Sequence, residues 1–258
     1  DLEKYLCIKI KEHNLIKSIS TDTRSIVKKS MFIALKGNNF NGNDYVEEAL
    51  KKGAVIALTD DKRFLNSKNK KIIYVKNTIL ALGKISRNII KEFNGTVIAV
   101  TGSNGKTTTT NIIASTLKES SSTIENFNNE IGMPLSLINA SFKSKQLVLE
   151  IGASKFKDID YLSKILNPHI GIITNIGNSH LEKLQNIQGV LKVKSEIIKN
   201  IRSDGFLIVP NENKQYLDYW KKIRTDIRIL TFGMSKKADF YAKKIKIKKD
   251  GTDFYIAS

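Results

Sequence analysis

Short β-branched runs alternate along this chain with segments whose apolar residues recur every three or four positions, the pattern of an α/β protein. Residues 31–35 predict a strand. Residues 44–52 predict a helix with Val46, Ala49 and Leu50 on one face, stopped by Gly53. Residues 54–58 and 71–75 predict two more strands. Over 77–93, Ile79, Leu82, Ile85 and Ile89 share a helical face, and Asn77 or Thr78 stands where a cap belongs.

Asn94 and Gly95 break that pattern, and the buried-type strand 96–100 opens a new series of strand–helix units. A domain boundary is therefore expected near residue 94, giving domains 1–94 and 95–258. In the second, strands are expected near 146–151, 169–173, 205–209 and 227–232, separated by helices near 107–117, 158–166, 187–198 and 214–223. This predicts a mostly parallel, doubly wound sheet. A hairpin on an Asp250-Gly251 turn is expected over 243–256, with Ile245 and Ile247 on a packed face and the lysines on a solvated one.

Composition changes the picture little. Of 258 residues, 41% are apolar and 26% charged, which excludes a disordered chain. The single cysteine, Cys7, excludes an intrachain disulfide and a cysteine-rich metal cluster. No apolar run is long enough to span a bilayer and no signal peptide is legible, so a soluble intracellular protein is expected. The 43 Lys and Arg against 25 Asp and Glu give a net charge of +18, which invites a nucleic-acid reading. The lysines are scattered, with neither a stacking platform nor a recognition helix, so the charge is read as compositional background.

The sharpest chemical signal is TGSNGKTT at 101–108. It follows a buried strand and opens a helix, so successive backbone N–H groups and the positive helix end converge where a polyphosphate can sit. Lys106 would reach the β- and γ-phosphates, and the Thr107 hydroxyl would ligate Mg2+. Gly102 and Gly105 permit the turn. Val100 stands where the full pattern has another glycine, so the motif is a shortened one. Glu150 is an acid ending an apolar strand, costly to bury unless it meets a cation such as Mg2+. His180 follows the strand 169–173. Lys194 is one lysine among many, and nothing in its surroundings in the sequence singles it out.

Five ordered segments together resemble the Mur ligase family, the ATP-dependent amide-forming enzymes of peptidoglycan synthesis. They are TGSNGKTTT from Thr101, NFNNEIGMP from Asn126, LEIGA from Leu149, TNIGNSHL from Thr174 and KSE from Lys194. Residues 20–24 (STDTR), 32–37 and 41–44 also resemble that family's UDP-substrate domain. The resemblance implies that Thr101, Gly102, Ser103, Asn104, Gly105, Lys106, Thr107 and Thr108 hold ATP. It implies that Thr107, Glu150, His180 and Lys194 serve one or two Mg2+ ions, with Lys106, Lys194 and His180 catalytic and Lys194 carboxylated by CO2. Asp22, Thr23, Arg24, Asn128 and Asn129 would face a UDP-muramoyl substrate. Asn41 stands where aspartate is usual and Ser195 where glycine is common, so these two carry little weight.

The implied activity joins D-alanyl-D-alanine to UDP-muramoyl tripeptide through an acyl phosphate, in the cytoplasm of a bacterium, with no nucleic-acid partner and as a monomer. A sister ligase adding diaminopimelate or lysine, a folate-type glutamate ligase, and a basic nucleic-acid-binding nucleotide sensor are the alternatives. Family members carry a third, C-terminal domain, so the chain is expected to cover the N-terminal domain and most of the central one, and to turn over little by itself.

Overall fold

The computed structural model describes residues 16–37, 40–123, 127–140 and 143–258; Cys7 and Asn126 lie outside them. These residues form two compact units. One runs to Phe93 and takes in Pro134–Asn139; the other comprises Asn94–Met133 and Ala140–Ser258.

The first unit contains β1 (Ser18–Ser20), β2 (Ser30–Ile33), α1 (Val46–Lys51), β3 (Ala54–Thr59), β4 (Ile72–Tyr74) and α2 (Thr78–Lys91). Its strands form a parallel sheet in the order β1-β2-β3-β4. Phe32, Ala34, Ala54 and Ala57 pack against Val46 and Ala49 of α1, all buried. Each large apolar side chain removed from water contributes about 1.5–3 kcal/mol. Gly53 ends the α1 turn with φ +112°, a backbone region that disfavours any side chain. Asn77 caps α2, its side-chain oxygen accepting from the Leu80 N–H at 2.8 Å. The expected helix over 44–52 begins instead with a 3-10 turn, Gly42–Tyr45, and becomes α-helical at Val46.

The second unit contains β5 (Thr96–Thr101), α3 (Lys106–Thr116), β6 (Ser120–Ser122), the start of α4 (Gly132–Asn139), β7 (Gln146–Glu150), α5 (Asp158–Leu166) and β8 (Ile170–Ile173). There follow α6 (Leu181–Leu184), α7 (Ile187–Ser195), β9 (Phe206–Pro210), α8 (Lys214–Ile223), β10 (Arg228–Gly233), β11 (Phe240–Ile247) and β12 (Thr252–Ala257). The sheet order is β12-β11-β10-β9-β8-β5-β7-β6, parallel except for the β11–β12 pair. Ile98 and Val100 of β5, Val148 of β7 and Ile172 of β8 form one buried cluster, against which Ile113, Ala114 and Leu117 pack from α3 and its end. Strand order reverses around β5, so the chain leaves β5, β7 and β8 at neighbouring points of one sheet edge. In such sheets ligands sit beyond the carboxyl ends of the strands at that reversal.

The terminal hairpin departs from expectation. Its apolar face is not packed: Ile247 is 86% exposed, Ile256 70% and Phe254 53%. The strand also starts earlier than expected, at Phe240, because Phe240 and Tyr241 extend the parallel sheet beside β10.

Candidate nucleotide site

β5 delivers the chain directly into the glycine-containing loop. Gly102 has φ +148°, and a Cβ there would lie 1.9 Å from the Thr174 hydroxyl oxygen, so only glycine fits. Gly105, with φ +74°, is the N-cap of α3, and no side chain caps that helix end. The first N–H groups of α3 are thus left for a ligand, and the helix dipole favours an anion there. Lys106 folds back, its Nζ donating to the Ser103 carbonyl at 3.3 Å.

The end of β7 places an acid beside this helix. Glu150 is only 4% exposed. Its Oε2 accepts from the Thr107 hydroxyl at 2.7 Å, its Oε1 from the Asn128 amide at 2.6 Å, and its N–H donates to the Thr123 hydroxyl at 2.6 Å. These three bonds fix the residue and its carboxylate, which answers the cost of burying it.

A cavity of about 360 Å³ opens next to these groups. Ser103 and Lys106 line it from the phosphate loop, Asn128, Asn129 and Glu130 from the segment before α4, and Gly152 to Ser154 from the turn after β7. Asp158, Tyr161 and Leu162 of α5, with Ser179, His180 and Lys194, complete the wall. Lys194 is 1% exposed. Among the described residues its Nζ makes no hydrogen bond or ion pair. Burial, reinforced by the charge of Lys106, pulls its ammonium down to about 8. The Tyr161 hydroxyl is buried without a partner among the described residues, and burial followed by the nearby Glu130 raises its pKa.

Other expected residues fall in different places. Thr101 is fully buried as the last residue of β5, and its carbonyl accepts from the Thr174 N–H at 2.8 Å. Asn129 caps the start of α4, its side-chain oxygen accepting from the N–H groups of Ile131 and Gly132. His180 lies in the left-handed region at φ +51°, and its ring Nδ1 is 3.8 Å from Glu182. Asp22, Thr23 and Arg24 belong to the first unit. There the Arg24 guanidinium grips Asp22 through two nitrogens and holds its carboxyl down at about 2.

Sequence reasoning missed several residues. Ser195, which carried little weight in the resemblance, ties α7 to α8: its hydroxyl donates to the Leu191 carbonyl and accepts from the buried Trp220 indole at 2.8 Å. Glu196 accepts from the N–H groups of Lys157 and Asp160, bracing the first turn of α5 and so the wall carrying Asp158 and Tyr161. The spacing of Asp158 and Tyr161, three apart on one helix, was the available signal for a shared face.

Residues 100–258 match the Mur ligase middle domain, and residues 15–90 match the Mur ligase family catalytic domain. The chain belongs to the Mur ligase family. A UDP-N-acetylmuramoyl-tripeptide–D-alanyl-D-alanine ligase of Buchnera aphidicola (subspecies Baizongia pistaciae) is 41% identical over 246 residues, covering 94% of this chain and 53% of that protein. MurF from Acinetobacter baumannii superposes with a TM-score of 0.85 at 29% identity, covering 99% of this chain and 59% of the other. The MurF ligase of Thermotoga maritima, solved with ADP, gives 0.84 at 29% identity over 95% of this chain and 56% of that one. The chain thus spans about half the length of the relatives it matches.

The Mur ligase loop fits a nucleotide with Mg2+. A cradle closed to any Cβ at Gly102 and an uncapped helix end receive phosphate. The hydroxyl of Thr107 and the carboxylate of Glu150 are the hard oxygen donors that Mg2+ prefers, whereas the His180 nitrogen is less well matched to that ion. Among the described residues, no three of His, Cys, Asp and Glu gather into a metal cluster.

Proposed function

We propose that the protein is an ATP-dependent amide ligase of peptidoglycan precursor synthesis, joining D-alanyl-D-alanine to UDP-N-acetylmuramoyl tripeptide in the bacterial cytoplasm as a monomer. The observation that carries the chemistry is the Thr107–Glu150 contact beside a cavity lined by Lys106 and Lys194. The choice of substrates is supported by the names of the relatives above.

In this reading the open amides of α3 and Lys106 bind the ATP phosphates. Thr107 and Glu150 hold Mg2+, which when bound neutralises phosphate charge. Lys106 stabilises charge developing on the γ-phosphoryl group as the tripeptide carboxylate attacks phosphorus and ADP leaves. The amine nitrogen of D-alanyl-D-alanine then attacks the acyl carbon. The carbon–oxygen bond to phosphate breaks with its electron pair, and the amine gives up a proton. His180 stands on the cavity wall where it can contact the reacting groups. Lys194, as its free amine, would add CO2 and release a proton to solvent to give a carbamate. Its burial, with no ion pair to an acid among the described residues, supports that reading, because the modification would replace a costly buried ammonium with an anion that could help hold a second Mg2+. Asp22, Thr23 and Arg24 bind the UDP moiety, and Asn128 and Asn129 contact the muramoyl peptide.

The test is phosphate release by the full-length protein. It should require MgATP, UDP-muramoyl tripeptide and D-alanyl-D-alanine together, and should vanish in Lys106→Ala and Glu150→Ala. Release that ignores the two organic substrates would defeat the reading.

A further inference from the structure

The loop after β8 is fastened to the phosphate loop along its length. Asn175 makes two of these ties: its side-chain oxygen accepts from the Asn104 N–H at 3.0 Å, and its backbone carbonyl accepts from the Ser103 N–H at 3.2 Å. The Thr174 hydroxyl donates to the Asn104 carbonyl at 2.7 Å. The Ser103 hydroxyl donates to the Gly177 carbonyl at 2.8 Å, accepts from the Gly177 N–H at 2.9 Å, and accepts from the Ser179 hydroxyl at 3.1 Å. The segment so fastened runs on to His180 on the cavity wall.

A nucleotide-binding loop is expected to offer all its successive N–H groups to phosphate, yet those of Ser103 and Asn104 are taken by Asn175 within the protein. Beyond them, the amide of Gly105, the N-cap of α3, and those of the first turn of α3 are left without partners among the described residues. The cradle is therefore set by an internal acceptor, which fixes the peptide planes of 103 and 104 before any ligand arrives; such preorganisation spares the ordering cost at binding. The fastening also acts mechanically: a phosphate loop latched to residues 174–179 carries Ser103, Lys106 and His180 as one body.

We propose that Asn175 is a positioning residue of the nucleotide site, holding the phosphate loop in its receiving shape and tying it to the His180 segment without itself touching phosphate. The inference rests on the nucleotide-binding reading of the loop and adds to it a residue outside the phosphate motif.

The experiment compares the chain with its Asn175→Ala and Asn175→Asp variants. MgADP affinity is measured by calorimetry, and hydrogen exchange is followed at the Asn104 amide. Asn175→Ala should bind MgADP about tenfold more weakly, the scale of one lost hydrogen bond that ordered the site. Exchange at Asn104 should accelerate while β5 amides stay protected, which separates a local latch from general destabilisation. Asn175→Asp keeps the accepting oxygen and should keep Asn104 protected. A parent chain that binds MgADP alongside an Asn175→Ala variant that binds it equally, or whose Asn104 exchange is unchanged, overturns the inference alone. A parent chain that ignores MgADP overturns the nucleotide reading and this inference with it.

Discussion

The Thr107 hydroxyl donates to the Glu150 carboxylate at 2.7 Å, joining the first turn of α3 to the end of β7. The bond pairs the two oxygen-bearing side chains proposed to hold Mg2+ and settles which way each points. Thr107→Val keeps the shape and removes both the ligand oxygen and the donor. It should raise the Mg2+ concentration for half-maximal ATP turnover by on the order of 10–100-fold, and Thr107→Ser should restore it. A Mg2+ titration of phosphate release checks this; an unchanged midpoint in Thr107→Val removes Thr107 from the metal site.

The two loop glycines should differ. A methyl at Gly102 meets the Thr174 oxygen at 1.9 Å, whereas a methyl at Gly105 meets nothing within 4 Å. Gly105→Ala should cost about 1 kcal/mol of stability, from the positive φ alone, and Gly102→Ala roughly 2–4 kcal/mol because a clash is added. Urea unfolding of the two variants measures the difference, and equal losses would contradict the packing described.

Lys194 sets its proposed role against stability. Its folded-state pKa is lowered to about 8 from 10.5. Below pH 8 the ammonium is charged in both states, and the burial penalty is fully present. Between 8 and 10.5 the unfolded chain holds more protons, so stability rises with pH. In CO2-depleted buffer, Lys194→Met should therefore be more stable than the parent at pH 7, by on the order of 3 kcal/mol, and the gap should close toward pH 10. Adding 13C-bicarbonate should give the parent, and not the variant, a carbamate carbon resonance. A variant less stable than the parent at pH 7 would contradict the penalty.

His169 supplies an acid-sensitive contact away from the cavity. Its Nδ1 accepts from the Val97 N–H at 3.0 Å at the start of β5. Burial, followed by the charge of Arg202, lowers its pKa below 6.5. The neutral ring is thus the folded form. Its contribution is intact above 6.5 and is lost as pH falls through the folded-state pKa, where a proton on Nδ1 breaks the bond. His169→Asn, which keeps an acceptor and cannot titrate, should lose about 1 kcal/mol less than the parent between pH 7.5 and 5 in urea unfolding. Parallel losses would refute the assignment.

Much of this was legible in the chain because the signals were local. The helices Asp158–Leu166 and Lys214–Ile223 emerge at the bounds their periodicity implied, and β5 runs into its glycine loop as TGSNGKTT demands. Strand β6 was not legible, since three serines carry no apolar alternation and the strand exists by pairing with β7. Strand β1 likewise owes its place to its neighbour β2. In the site, Lys106, Thr107 and Glu150 could be reasoned out from a loop and a strand end. Lys194 could not, because what distinguishes it is burial beside another cation, a property of the folded surroundings. Asn175 was hidden for the same reason: its partners, Ser103 and Asn104, lie some seventy positions away.

The most direct test of the central claim offers the full-length protein MgATP and UDP-muramoyl tripeptide with a panel of amines, and weighs the products by mass spectrometry. The account predicts one new amide, the pentapeptide formed from D-alanyl-D-alanine, with one ADP and one phosphate released per bond. A product from diaminopimelate, lysine or glutamate, with none from D-alanyl-D-alanine, would contradict it.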